Sequence, residues 1–345
     1  MRGDGVATQS IAEARRTDVL AGTATGVGSL PHRDAHAAAA LVLRCLPDLP
    51  AAPQLPARTR REGIVAQWAD AISGVGVQPD GSLVADALSS RAAIEPVFTR
   101  ESHAGLLTFL DVAATQARPP RHLKTQIVGP LTLGVALLEA GVAADVAFPL
   151  AARTVRAWID ATEALVASKL PGSSLVLFLD EPALVLWRAE GPTERETAID
   201  LLSTTLASAH ALMGVHVCGH GDLRLALDAG PDVAHLDVGA LDLDDALWLA
   251  RFLDGGGWIA WGAIPTHRPV GEQPQPLWHA LVDRWCELTR RGCDPVRLRS
   301  QALVAPACGL AGHGTSQAER AMLLAREIGN RVHDQAAATK LTIGA

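Results

Sequence analysis

From Lys124 onward the chain repeats one unit, a short apolar or β-branched run that closes on polar, Gly or Pro residues and is followed by an amphipathic helical stretch. The runs are Thr125 to Val128, Ser174 to Leu179, Gly214 to Val217, Val233 to Val238, Trp258 to Ala263 and Ala302 to Ala305. Helical patterns separate or follow them at Val142 to Lys169, Pro192 to Leu212, Leu241 to Leu253, Pro276 to Arg291 and Thr315 to Val332. Successive units of this kind demand a parallel sheet, either closed as a barrel or open and doubly wound. Two further candidate strands, Thr23 to Val27 and the region of Pro53 to Leu55, bring the count to eight, the number that closes a (β/α)8 TIM barrel. Between Arg61 and about Arg100, Gly74, Gly76 and Pro79-Asp80-Gly81 predict a β-hairpin insertion, with a helical stretch after it from Ser102 to Gln116. The expected organisation is a flexible N-terminal extension over 1–20 and a single barrel domain over 21–345.

Charge and composition narrow the function. A net charge of −7 argues against a nucleic-acid binder, which needs a basic face to meet phosphates. Tyrosine is absent, aromatics reach 4%, and the lysines are Lys124, Lys169 and Lys340, so a flat aromatic ligand has few side chains to stack on. Five cysteines without regular spacing do not read as a disulfide framework and fit a reducing compartment. The N-terminal residues form no secretory apolar core, and no uncharged apolar run reaches membrane-spanning length, so a soluble cytoplasmic protein is expected.

Unusual polar residues follow the strands: Ser29, Gly129-Pro130, Asp180-Glu181-Pro182, His216 with Cys218, Asp237, His267 and Cys308. A barrel places its chemistry on this C-terminal rim. His216 and Cys218 lie two apart in a predicted strand and point the same way, and Cys308 in Pro306-Ala307-Cys308-Gly309 offers a third soft donor. Nitrogen and sulfur donors with a possible carboxylate suit Zn²⁺ better than Mg²⁺ or Ca²⁺. The competing reading is a core strand with an ordinary buried Cys and a hydrogen-bonded His. Asp180 reads as a substrate contact or a helix cap, and Cys45, Cys286 and Cys293 read as packing thiols.

Gly28-Ser29-Leu30-Pro31, Ile127-Val128-Gly129-Pro130-Leu131-Thr132, Leu179-Asp180-Glu181-Pro182-Ala183-Leu184, His216-Val217-Cys218, Gly262-Ala263-Ile264-Pro265-Thr266-His267 and Ala307-Cys308-Gly309-Leu310 occur in a fixed order over residues 25 to about 330. Together they resemble the catalytic half of the cobalamin-independent methionine synthase family, within the barrel group that includes uroporphyrinogen decarboxylase and coenzyme M methyltransferases. The resemblance implies a zinc-dependent methyltransferase that moves a methyl group to the thiol of homocysteine. It implies zinc ligation by His216, Cys218 and Cys308. Family members carry a Glu as fourth ligand where this chain has Asp237, with His235 the alternative on the same strand face. Homocysteine contacts fall on Ser29, Asp180 and Glu181, and His267 matches a histidine assigned to proton transfer. The family's long N-terminal half has no counterpart here, and Leu133-Gly134-Val135-Ala136 stands where a folate-stacking aromatic is found. These departures argue against a folate donor, so the resemblance leaves methylcobalamin or a corrinoid protein, or else methyltetrahydrofolate, as the expected donor. Another thiol of the coenzyme M type, or a non-catalytic zinc-binding role, is the alternative.

Overall fold

The computed structural model describes residues 19–188 and 190–343, so all but the last two residues of the extension expected at 1–20 lie outside the described residues. The predicted insertion is a hairpin. Strands β1 (Val75–Val77) and β2 (Leu83–Ala85) pair antiparallel, with Val75 opposite Ala85. Its turn is held by Asp80, whose Oδ1 accepts from Ser82 N at 2.9 Å and Ser82 Oγ at 2.7 Å, and by Gly81 at φ +92°. Only a residue without Cβ takes that φ at little cost.

Six strands form one curled, all-parallel sheet in sequence order: β3 (His122–Val128), β4 (Ser174–Asp180), β5 (Leu212–Val217), β6 (Val233–Asp237), β7 (Trp258–Ile264) and β8 (Ala302–Pro306). Parallel neighbours need long connections, and helices such as Ala144–Lys169, Arg195–Leu206 and Gln275–Arg290 supply them. β3 begins at His122 rather than Thr125, which draws Lys124 into the sheet. The two upstream runs do not become strands of similar length. They meet the sheet and each other through isolated parallel bridges, Ala24 to Val304, Ser29 to Gln54 and Ala51 to Lys124. Pro50 and Pro53 have no N–H to donate, while Gly26 and Gly28 weaken the first run, so neither run supports a continuous ladder.

Period-two alternation divides the strand residues between two cores. Leu177, Leu179, Val215, Ala234, Leu236, Ile259, Trp261 and Val304 pack outward against the helices. Val176, Phe178, Val233, Ala260 and Leu303 form a separate inward cluster with Leu49. Within the outer core, Trp68, Phe98 and Trp158 surround the buried His103 with centroids 5.0 to 5.1 Å away, and Trp158 Nε1 donates to Trp68 O at 2.8 Å. Among the described residues, no helix is long and apolar enough to cross a membrane.

Candidate metal centre

Strand register brings three polar side chains to one level above the inward cluster. Asp180 on β4 is aligned with His216 on β5, and His216 with His235 on β6. All three are buried, with 4%, 3% and 2% exposure. Cys218 follows two residues after His216, where Gly219 at φ +53° turns the chain toward the helix Leu223–Asp228. Cys308 arrives from the end of β8. One donor atom from each of His216, Cys218 and Cys308 lies within 4.8 Å of the others, and the two sulfurs are 3.1 Å apart. These side chains can hold a metal ion.

The electrostatics suit such a role. Both ring nitrogens of His216 are buried without a hydrogen-bond partner, as are Asp180 Oδ1 and Gln126 Oε1. Three of the ten orphaned buried side-chain atoms among the described residues thus belong to the neighbouring His216 and Asp180. Folded chains rarely leave buried polar atoms unpaired, so the cluster is built to meet something other than itself. The Cys218 thiol beside it, followed by His216, pulls the Cys308 thiol well below the usual range, and Cys218 is pushed up in turn. One thiol donates while the other takes the charge, which yields a soft anionic donor near neutral pH.

The structure arranges the other expected residues unevenly. Asp237 does not join the donor group; it is half-buried and its Oδ1 accepts from Gly239 N at 2.7 Å. His235 also stands outside the donor group, with Nε2 3.0 Å from Pro306 O. Ser29 lies beside the Cys308 loop: its carbonyl accepts from Leu310 N at 2.9 Å, and a Cβ on Gly309 would fall 2.0 Å from its Oγ. Burial raises the pKa of Asp180, while nearby His216 and Lys124 oppose the rise. Glu181 faces the N-terminus of the helix Pro130–Glu139 instead. It accepts from Leu131 N at 2.8 Å, Thr132 N at 2.7 Å and Thr132 Oγ1 at 2.6 Å, and burial still pushes its pKa up to about 7. His267 is exposed in the loop after β7.

Lys124 is the residue that sequence reasoning missed. It is 1% exposed, donates to Val27 O, and sits with Nζ 4.8 Å from the Phe178 ring centroid. Burial lowers its pKa to about 8, with Asp180 opposing. The available signal was its spacing from Gln126, two positions on, which puts both on one face of the strand.

No family model matches the sequence, and no curated protein matches it either. Solved structures share the fold. A B12-independent methionine synthase from a Shewanella species, in complex with selenomethionine, aligns at a TM-score of 0.62 and 13% identity over 93% of this chain and 100% of that one. A methyltransferase from Methanosarcina mazei aligns at 0.59 and 13% identity over 93% of this chain and 97% of that one. This chain therefore has a methionine synthase-like fold.

Proposed function

We propose that this chain is a zinc-dependent methyltransferase that carries a methyl group to the thiol of homocysteine, giving methionine, with methylcobalamin, a corrinoid protein or methyltetrahydrofolate as donor. On this reading the six strands and the two bridged N-terminal segments are the eight staves of one (β/α)8 barrel, and residues 21–345 are one domain. The observation that carries the reading is the convergence of His216, Cys218 and Cys308 within 4.8 Å, with both His216 nitrogens unpartnered. The fold likeness to a methionine synthase that binds selenomethionine supports an amino-acid thiol as acceptor.

His216, Cys218 and Cys308 would hold Zn²⁺, which would supply Lewis acidity able to lower the pKa of an incoming thiol, ordinarily about 8.5. Asp180 binds the substrate ammonium through its unpartnered Oδ1, and a cation there offsets the burial that raises its pKa. Ser29, next to Gly309, binds the carboxylate. As the methyl group moves, the thiol proton departs, the new S–C bond forms from the sulfur electron pair, and the methyl–donor bond breaks with its pair staying on the donor; a cobalt(I) corrinoid leaves without a proton, whereas the folate nitrogen takes one up. His267, exposed to solvent, hands over that proton. Glu181 acts indirectly, by fixing the turn that carries Asp180 to the next helix. Most of the rate comes from alignment of sulfur and methyl carbon.

A second reading, another small thiol as acceptor, draws on the comparable likeness to the Methanosarcina methyltransferase. Elemental analysis of purified protein, followed by methyl-transfer assays of homocysteine with methylcobalamin and with methyltetrahydrofolate, tests both. Zinc bound and methionine formed is the expected result. Protein that takes up no zinc refutes the proposal, and zinc-loaded protein that methylates only a different thiol favours the second reading.

A further inference from the structure

We propose that His235 is the positioning residue of the metal centre: its ring stacks on His216 and its hydrogen bond reaches the backbone leading into Cys308, so it holds two of the three donors at a fixed spacing. This deepens the metal reading above and rests on it. A metal-binding histidine is ordinarily oriented by a hydrogen bond through its second ring nitrogen. His216 has no such bond, because both its nitrogens are unpartnered. What restrains its ring is the face of His235, 4.3 Å away and inclined by 28°. The Phe178 ring flanks His235 edge-on at 6.4 Å.

The second contact crosses the sheet's concave face. β6 and β8 are separated by β7, so the backbone ladder does not link them directly. His235 bypasses β7 and meets Pro306 O at 3.0 Å, two residues before Cys308. The route is open because β7 presents Ala260 opposite His235 and Gly262 opposite Asp237, both too small to block it. A carbonyl accepts only, so His235 Nε2 carries the hydrogen and its lone pair is unavailable to a metal. His235 stands outside the donor group, and with Nε2 committed to Pro306 O it is a brace between strands rather than a fourth ligand.

Two substitutions separate the halves of this role. His235→Phe keeps the stacking face and loses the donor, while His235→Gln keeps an N–H donor and loses the ring. Zn²⁺ affinity, measured by competition with a chromophoric chelator, should weaken about 10- to 100-fold in each, the usual effect of losing such an outer partner. Visible absorption of the Co²⁺-loaded proteins should keep the wild-type ligand count, and thermal unfolding of metal-free protein should stay close to wild type. Unchanged Zn²⁺ affinity in both variants overturns the proposal while leaving the metal reading intact. A Co²⁺ spectrum that loses a nitrogen donor also overturns it, by making His235 a ligand. Wild-type protein that binds no Zn²⁺ removes the metal reading and this inference together. Should one variant fail to fold, the other carries the measurement.

Discussion

Acid should destabilise this protein through a residue remote from the donor cluster, and the size of the effect follows from burial. His103 is enclosed by Trp68, Phe98 and Trp158; Nδ1 meets Ser102 Oγ at 2.9 Å and Nε2 has no partner. Burial lowers its pKa from 6.5 to about 3. Between those values the unfolded chain binds a proton that the folded chain refuses, so the contribution is fully present above pH 6.5 and is lost as pH falls toward 3. At pH 5, some 1.5 units below the unfolded value, the loss at about 1.4 kcal/mol per unit comes to about 2 kcal/mol. His103→Phe keeps an aromatic ring in the enclosure and cannot take up the proton. Chemical denaturation of both proteins at pH 7 and pH 5 isolates the term as a double difference, because the other titrating groups are common to both. Wild type should lose about 2 kcal/mol more than the variant. Equal losses would refute the reasoning and show that the enclosure admits a charged imidazole.

Two further outcomes concern the site. Asp180→Asn should raise KM for the amino-acid thiol about 10- to 100-fold, the usual worth of a charged hydrogen bond, without lowering zinc content; steady-state kinetics with an unchanged KM would take Asp180 out of the substrate pocket. Gly129→Ala puts a Cβ 2.2 Å from the Glu181 carboxyl group. It should cost about 1–3 kcal/mol by overpacking, and a wild-type unfolding midpoint would show that this turn has slack.

The parallel sheet was legible because its strands, covered on both faces, read as nearly continuous apolar runs. Observed and expected boundaries differ by one to three residues, as for Ser174 to Leu179 against Ser174–Asp180. Thr23 to Val27 and Pro53 to Leu55 resemble the other runs in composition, yet glycine weakens the first and proline removes ladder donors from the second, so only isolated bridges form. The His216, Cys218 and Cys308 group could be read from spacing two and from rim placement, both local properties of the chain. Glu181 was not readable in this way. Whether a rim carboxylate faces a ligand or a helix terminus depends on space left at Gly129, fifty-two residues earlier. His235 depends on small residues of an intervening strand. Lys124 escaped notice because a lysine opening a strand usually reaches water.

The inward cluster of Leu49, Val176, Phe178, Val233, Ala260 and Leu303 fills the concave face beneath the polar layer. Below it remains a cavity of about 20 Å³, walled by Val19, Leu212 and Trp258, with room for about one water molecule. An apolar floor of this kind leaves the polar layer approachable from the C-terminal ends of the strands rather than from beneath.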